Sequence, residues 1–175
     1  MANVLPPINF QKWIEENKEY LKPPVNNRVV YKDTEFIIMV VGGPNSRKDY
    51  HYNEGEEFFY QLKGDIIVKI QENGQAKEVP IKEGEIFLLP PKIPHNPVRF
   101  KDTIGLVIER KRRENEKDGL LWFCEKCNHK LYEEYFTLTD ITTQFQKVFE
   151  KFYNSAELRT CKNCGTVLEP PPVIA

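Results

Sequence analysis

Two histidines and one glutamate in this chain are spaced as metal ligands are. In DYHYNEGEEFFYQLKG, residues 49–64, His51 and Glu57 stand just ahead of an aromatic run, and His95 closes GEIFLLPPKIPH, residues 84–95. The chain has three histidines in all, so two of them fall in these stretches. Imidazole and carboxylate are donors that a divalent first-row metal accepts. Two neutral histidines and one carboxylate leave Fe(II) with a net charge of roughly +1 and about three open positions, an arrangement favoured by oxygen-using iron enzymes. Taken singly, His51 reads as a surface-loop histidine and His95 as a proline-corner histidine. The paired spacings, His51-x-Asn53-x3-Glu57-x6-Gly64 and Gly84-x5-Pro90-x4-His95, favour the metal reading.

Strand parity extends the set, because side chains two apart point to the same face. Arg47 lies four before His51, Phe59 two after Glu57, and Arg99 four after His95, so all three are expected to face inward with the metal. Pro94 and Pro97 could break that parity around His95. An arginine inside a barrel is costly unless paired, and a carboxylate-bearing ligand would suit it through a bidentate fork. Glu109 closes the apolar strand of LVIERKR. The pattern leaves it open between a second charged group in the site and an exposed strand-end glutamate.

A second cluster, Cys124, Cys127, Cys161 and Cys164, forms CxxC-x33-CxxC and can wrap one ion through four thiolates. Such a site is full and therefore structural. Iron and zinc both accept it. Asn128 and Gly165, directly after the two pairs, suit the left-handed backbone that tight knuckles require. The metal would help to stabilise a weakly cored C-terminal extension.

The elements that must position these residues follow from periodicity. NFQKWIEENKEYL places Phe10, Trp13, Ile14, Asn17 and Leu21 on one helical face, with Asn9 as N-cap. From Arg28 to Arg110 about eight short β-branched and aromatic runs alternate with turn signals, with no helix-length crossover between them. That pattern predicts a mainly β protein, an antiparallel jelly-roll barrel with a short N-terminal helix. Residues 111–119, KRRENEKDG, read as a solvated linker without function, dividing a barrel of residues 1–110 from an extension of residues 120–175. Within the extension Ile141, Phe145, Val148, Phe149 and Phe152 form a helix face of packing residues.

The chain has 175 residues, with 25 basic against 26 acidic side chains, a balance that favours no nucleic-acid or anionic-membrane partner. No apolar run reaches the ~20 residues of a membrane span, and MANVLPPINF lacks the features of a secretory signal. A soluble, cytoplasmic protein with reduced, metal-bound cysteines and a small-molecule ligand is the expectation.

The two histidine-bearing spacings resemble the paired motifs of cupins, small β-barrels that hold a metal inside. Asn53 and Arg99 depart from the common cupin pattern, removing one protein ligand and adding a cation. The wider set LKPPVNNR, VVGGPN, RKDYH, EEFFYQLKG, FLLPPKIPH, PVRF and VIER, followed by two CxxC pairs, resembles the 3-hydroxyanthranilate 3,4-dioxygenase family of the short bacterial and fungal type, from about residue 9 to residue 165. The resemblance implies an enzyme converting 3-hydroxyanthranilate and O2 to 2-amino-3-carboxymuconate semialdehyde, the precursor of quinolinate. It implies catalytic Fe(II) on His51, Glu57 and His95, and a rubredoxin-like iron or zinc on the four cysteines. Arg99 would clamp the substrate carboxylate, Arg47 would contact dioxygen and substrate oxygen, and Glu109 would take the proton of the 3-hydroxyl. Asn27 and Phe59 would line the ring pocket, and the family is expected to be homodimeric. Alternatives are another cupin dioxygenase, a non-catalytic cupin sensing a small acid, and an electron carrier built on the cysteine site.

Overall fold

The structure is a computed structural model that describes residues 4–23, 26–139 and 141–172, except for the side chains of 141–143. The chain begins with α1 (Phe10–Asn17) and a 3-10 turn (Lys18–Leu21). Asn9 caps α1 as expected, its Oδ1 accepting from the Lys12 amide at 2.9 Å. No residue of α1 is buried; Leu21, at the end of the following turn, anchors the segment.

Eleven strands follow among the described residues: β1 (Asn27–Val29), β2 (Phe36–Gly42), β3 (Tyr50–Tyr52), β4 (Glu57–Lys63), β5 (Ile66–Glu72), β6 (Gln75–Ile81), β7 (Ile86–Leu89), β8 (His95–Arg99), β9 (Ile104–Arg110), β10 (Asp118–Phe123) and β11 (Lys130–Phe136). They form two antiparallel sheets, ordered β1-β2-β9-β4-β7 and β11-β10-β3-β8-β5-β6. This is the expected antiparallel jelly-roll barrel. Alternate side chains of β4, β5 and β9 point inward, and Phe59, Ile66, Val68, Ile81, Leu89 and Val107 meet between the sheets as the barrel core. Pro80 sits in β6, an edge strand, where a missing amide costs the sheet nothing.

Two expectations change. The span 111–119 does not separate a barrel from an appendage: Asp118 opens β10, which pairs with β3 through Leu120↔His51 and so continues the barrel sheet. Nor is the segment simply solvated, since the side chain of Arg112 is 11% exposed and that of Asp118 is fully buried. The C-terminal part is also not weakly cored. Helix α2 (Ile141–Tyr153) lays Phe145, Val148 and Phe152 against Leu120, Trp122 and Leu168 as a second core. Trp122 stacks on Phe152 at 4.2 Å between ring centroids. The face predicted for α2 is therefore a packing face, and its first member, Ile141, has its side chain outside the described residues. A last short helix, α3 (Ala156–Arg159), leads into the second cysteine pair.

Candidate active site

Opposite sheets supply opposite halves of the site. His51 on β3 lies directly across from His95 on β8, and Glu57 on β4 lies across from Glu109 on β9. Uninterrupted pairing of β8 with β5, from His95↔Ile70 to Arg99↔Ile66, keeps the parity that Pro94 and Pro97 threatened. His95 and Arg99 are consequently both buried. The alternative for Glu109 closes in the same way: register places it beside Glu57, buried, and not at an exposed strand end.

The ligand atoms offered by His51, Glu57 and His95 all lie within 4.8 Å of one another. His95 shares a 3.0 Å contact between Nδ1 and the carbonyl oxygen of Ile93, so Nδ1 carries the proton and Nε2 points to Glu57 Oε2, also at 3.0 Å. Two donors each about 2.1 Å from one ion and at right angles to it are themselves about 3 Å apart. The spacing thus fits a shared cation. His51 gives Nε2 to Asp118 Oδ1 at 2.7 Å, which leaves Nδ1 for the ion. Burial pushes the Glu57 carboxyl up, but the charge and hydrogen bond of His95 outweigh it and bring it down to about 2. The carboxylate is therefore already anionic, and the proton that a cation would displace is the one His95 shares with it from Nε2.

Asn53, where a further histidine would be a ligand in many cupins, is buried and takes a different part. Its Nδ2 donates to Glu57 Oε2 at 3.4 Å and to Glu109 Oε2 at 3.2 Å, while its Oδ1 accepts from the Gly55 amide at 2.8 Å. A neutral donor between two carboxylates eases their mutual repulsion without competing for the metal. Burial, followed by the charge of Glu57, pushes Glu109 above the ordinary carboxylate range, against the pull of Arg112.

Beside the trio lies a cavity of about 150 Å³ whose lining includes Asn27, Arg47, His51, Glu57, Phe59, His95, Arg99 and Glu109. All eight sequence-predicted barrel residues therefore meet in one place. A volume of this size accepts a single aromatic ring. Arg99 is 3% exposed, and burial lowers its guanidinium to about 10. Its Nη1 is buried with no hydrogen-bond partner among the described residues. Arg47, by contrast, is paired with Asp49, its Nε donating to Oδ1 at 3.0 Å, and stands over the rings of Phe145 and Phe149 at 5.8 and 5.6 Å.

Sequence reasoning missed Arg112, Asp118 and the cavity-facing position of Phe145, whose ring lies 5.5 Å from that of His51. The first two sit in a run whose composition reads as solvent-facing. For Phe145 the helical period was visible, but that its face also closes a cavity was not.

Gly105 on β9 lets the Arg99 side chain lie flat on the sheet, because a Cβ there would sit 2.7 Å from Arg99 Nη1 and 2.8 Å from Gln61 Oε1. The tip of an arginine can move where backbone cannot. Gly105→Ala is therefore expected to weaken binding of an aromatic carboxylate by about tenfold, with a stability loss of only about 1–2 kcal/mol. Calorimetric titration and a thermal melt read both quantities; equal affinity in variant and parent would show that Arg99 does not depend on this approach.

The four cysteines converge as a separate cluster, with their Sγ atoms within 4.8 Å of one another. Cys124 pairs with Cys164 and Cys127 with Cys161 at 3.5 Å, far beyond the ~2.05 Å of a disulfide and near the ~3.8 Å edge of a tetrahedral thiolate site. The two knuckles repeat one another. Asn128 N donates to Cys124 O at 2.9 Å and Gly165 N to Cys161 O at 2.8 Å, both residues having positive φ, 57° and 74°.

The chain matches the family model described as 3-hydroxyanthranilic acid dioxygenase over residues 1–153. It belongs to that family. Relatives named 3-hydroxyanthranilate 3,4-dioxygenase include one from Xanthomonas euvesicatoria pv. vesicatoria, 57% identical with 97% of this chain and 95% of that protein covered. One from Xanthomonas campestris pv. campestris is 55% identical with 96% and 95% covered. A third, from Bacillus cereus, is 47% identical with 96% and 94% covered. Coverage near full length on both sides means that the family likeness extends to the second CxxC pair, beyond the end of the family-model match. Among the described residues no helix is long and apolar enough to cross a membrane.

Proposed function

We propose that this chain catalyses the ring opening of 3-hydroxyanthranilate by dioxygen to 2-amino-3-carboxymuconate semialdehyde, both oxygen atoms entering the product, with Fe(II) held by His51, Glu57 and His95. Membership of the dioxygenase family supports the reaction class. The observation that carries the substrate is the buried Nη1 of Arg99, without a partner among the described residues, in a ring-sized cavity beside the metal-binding trio. A buried guanidinium with an unused donor calls for an anion, and the aromatic carboxylate supplies one.

Fe(II), when bound there, supplies the one-electron chemistry that lets dioxygen react with a closed-shell aromatic ring. The chain's own residues do the rest. Arg99 holds the carboxylate and so fixes the ring in the plane of the cavity, while Phe59 bounds one face and Asn27 one edge. With the carboxylate anchored, the 3-hydroxyl points to Glu109, which accepts its proton as the ring becomes electron-rich. Arg47, kept in place by Asp49, offers positive charge where oxygen gathers negative charge. Phe145, Val107 and Met39 contribute apolar wall that limits water. The four-thiolate cluster holds an iron or zinc ion with a structural role. Quinolinate formation in NAD biosynthesis, a cytoplasmic location and a homodimer complete the reading.

Oxygen uptake by Fe(II)-loaded protein given 3-hydroxyanthranilate, with a new near-ultraviolet product and none in a His51→Ala control, is the expected result. Absence of uptake with confirmed barrel iron would retire this substrate. Arg99→Ala is expected to raise the Kd for 3-hydroxyanthranilate about 100-fold, the loss of about 3 kcal/mol of charged hydrogen bonding. Unchanged affinity would remove Arg99 from the clamp.

A further inference from the structure

The segment that composition assigns to solvent carries the most heavily bonded cation near the site. Arg112 Nη1 donates to Glu109 Oε2 at 2.7 Å. On its other edge Nε donates to Asp118 Oδ2 at 2.8 Å and Nη2 to Asp118 Oδ1 at 2.5 Å, a bidentate fork. Asp118 Oδ1 also bonds His51 Nε2 at 2.7 Å. One guanidinium therefore joins the carboxylate that faces the substrate to the partner of a metal ligand, through two links on one side and one on the other.

We propose that Arg112 is a positioning residue that holds Glu109 and His51 together in working orientation. Two geometric facts support this. First, Arg112 and Asn53 both bond to Oε2 of Glu109, which leaves Oε1 free to turn toward a ligand in the cavity. Second, Asp118 is a buried acceptor of the hydrogen bond from His51 Nε2–H, so the tautomer that presents Nδ1 to the ion is selected. Asp118 can hold that ring only if it is itself held, and its two oxygens are fixed by the planar fork. Lysine, a single-point donor, could carry the charge but could not span Glu109 and both oxygens of Asp118.

The part concerning Glu109 rests on the ring-opening reading; the part concerning His51 rests only on a metal at the barrel trio. The test uses the full chain with Arg112→Met and Arg112→Lys, measuring kcat, KM, anaerobic Fe(II) affinity, the Co(II) absorption spectrum and Tm. Arg112→Met is expected to lower kcat about 100-fold and to weaken Fe(II) binding about 10- to 100-fold, with KM for 3-hydroxyanthranilate within about threefold because Arg99 is untouched. Arg112→Lys is expected to recover most of the Tm while kcat stays about tenfold low. It also decides the matter if the methionine variant does not fold. A fall in Tm with kcat, Fe(II) affinity and Co(II) spectrum all at parent values would make Arg112 a structural strap only and overturn the proposal. Should the parent protein take up no oxygen, the ring-opening reading fails, while the Fe(II) affinity and Co(II) spectrum of the two variants still support or overturn the link to His51.

Discussion

Glu57→Ala is expected to leave a folded protein that no longer retains an ion in the barrel and whose oxygen uptake falls at least about a thousandfold, several kcal/mol of barrier. Glu57 is the sole carboxylate among the three proposed ligands. Removing it takes away the charge that offsets a divalent cation and leaves two neutral imidazoles. Burial of Glu57 would ordinarily oppose its ionisation, yet His95 brings its carboxyl down to about 2, so the anion is present at any pH at which the protein would be assayed. The fold should survive, because the core between the sheets is built from Phe59, Val68, Val107 and their neighbours and not from the ligands. Metal analysis on the purified variant would report one ion per chain fewer than in the parent. A variant that kept its barrel metal, with turnover within about tenfold of the parent, would show that Glu57 is not a ligand.

The second large effect is expected at the cysteines. Cys161→Ser should release the second ion and lower the Tm by about 10–20 °C, corresponding to about 5 kcal/mol for a chain of this size. The loss should be smaller than the ~10 kcal/mol or more that holds together a module with no other core. Here Trp122, Phe152 and Leu168 pack without the ion. An ion there would instead tie the knuckle after β10 to the knuckle after α3, and Leu168 follows the second of these. Well below the lowered Tm, a structural site predicts oxygen uptake within about tenfold of the parent when the barrel iron is intact. An electron carrier predicts the reverse: turnover abolished at a nearly unchanged Tm. Melting curves and oxygen-electrode traces on one preparation separate the two outcomes.

Much of the site was legible because its signals are local. His51, Glu57 and His95 announce themselves by residue type and spacing, and Arg47, Phe59 and Arg99 follow by alternation along strands, since side chains two apart must share a face. The cysteine pairs need only their separation. Glu109 shows where local reasoning stops. Its inward face depends on which residue of β4 it meets, and only the register Glu57↔Glu109 settles that. Asn53 could be seen to replace a ligand, but not to bridge two carboxylates drawn from different strands.

KRRENEKDG marks the larger gap. A run of charges is solvated unless it is covered; the counter-charges of Arg112, which are Asp118 and Glu109, lie within or beside these nine residues, but the cover does not. Here β10 returns beside β3, sets Leu120 across from His51, and so buries Asp118 and Arg112 against the site. The same return gives Trp122 to the aromatic face of α2, which builds a second core where an isolated extension was expected. By itself the sequence determined the chemistry of the donors, the β architecture and two clusters of side chains that could each hold a metal, because residue type, period and spacing are properties of short stretches. Which of these neighbouring charges are buried against the site, and which strand completes the barrel sheet, was decided by tertiary structure alone, because cover and strand pairing come from residues brought together from distant parts of the chain.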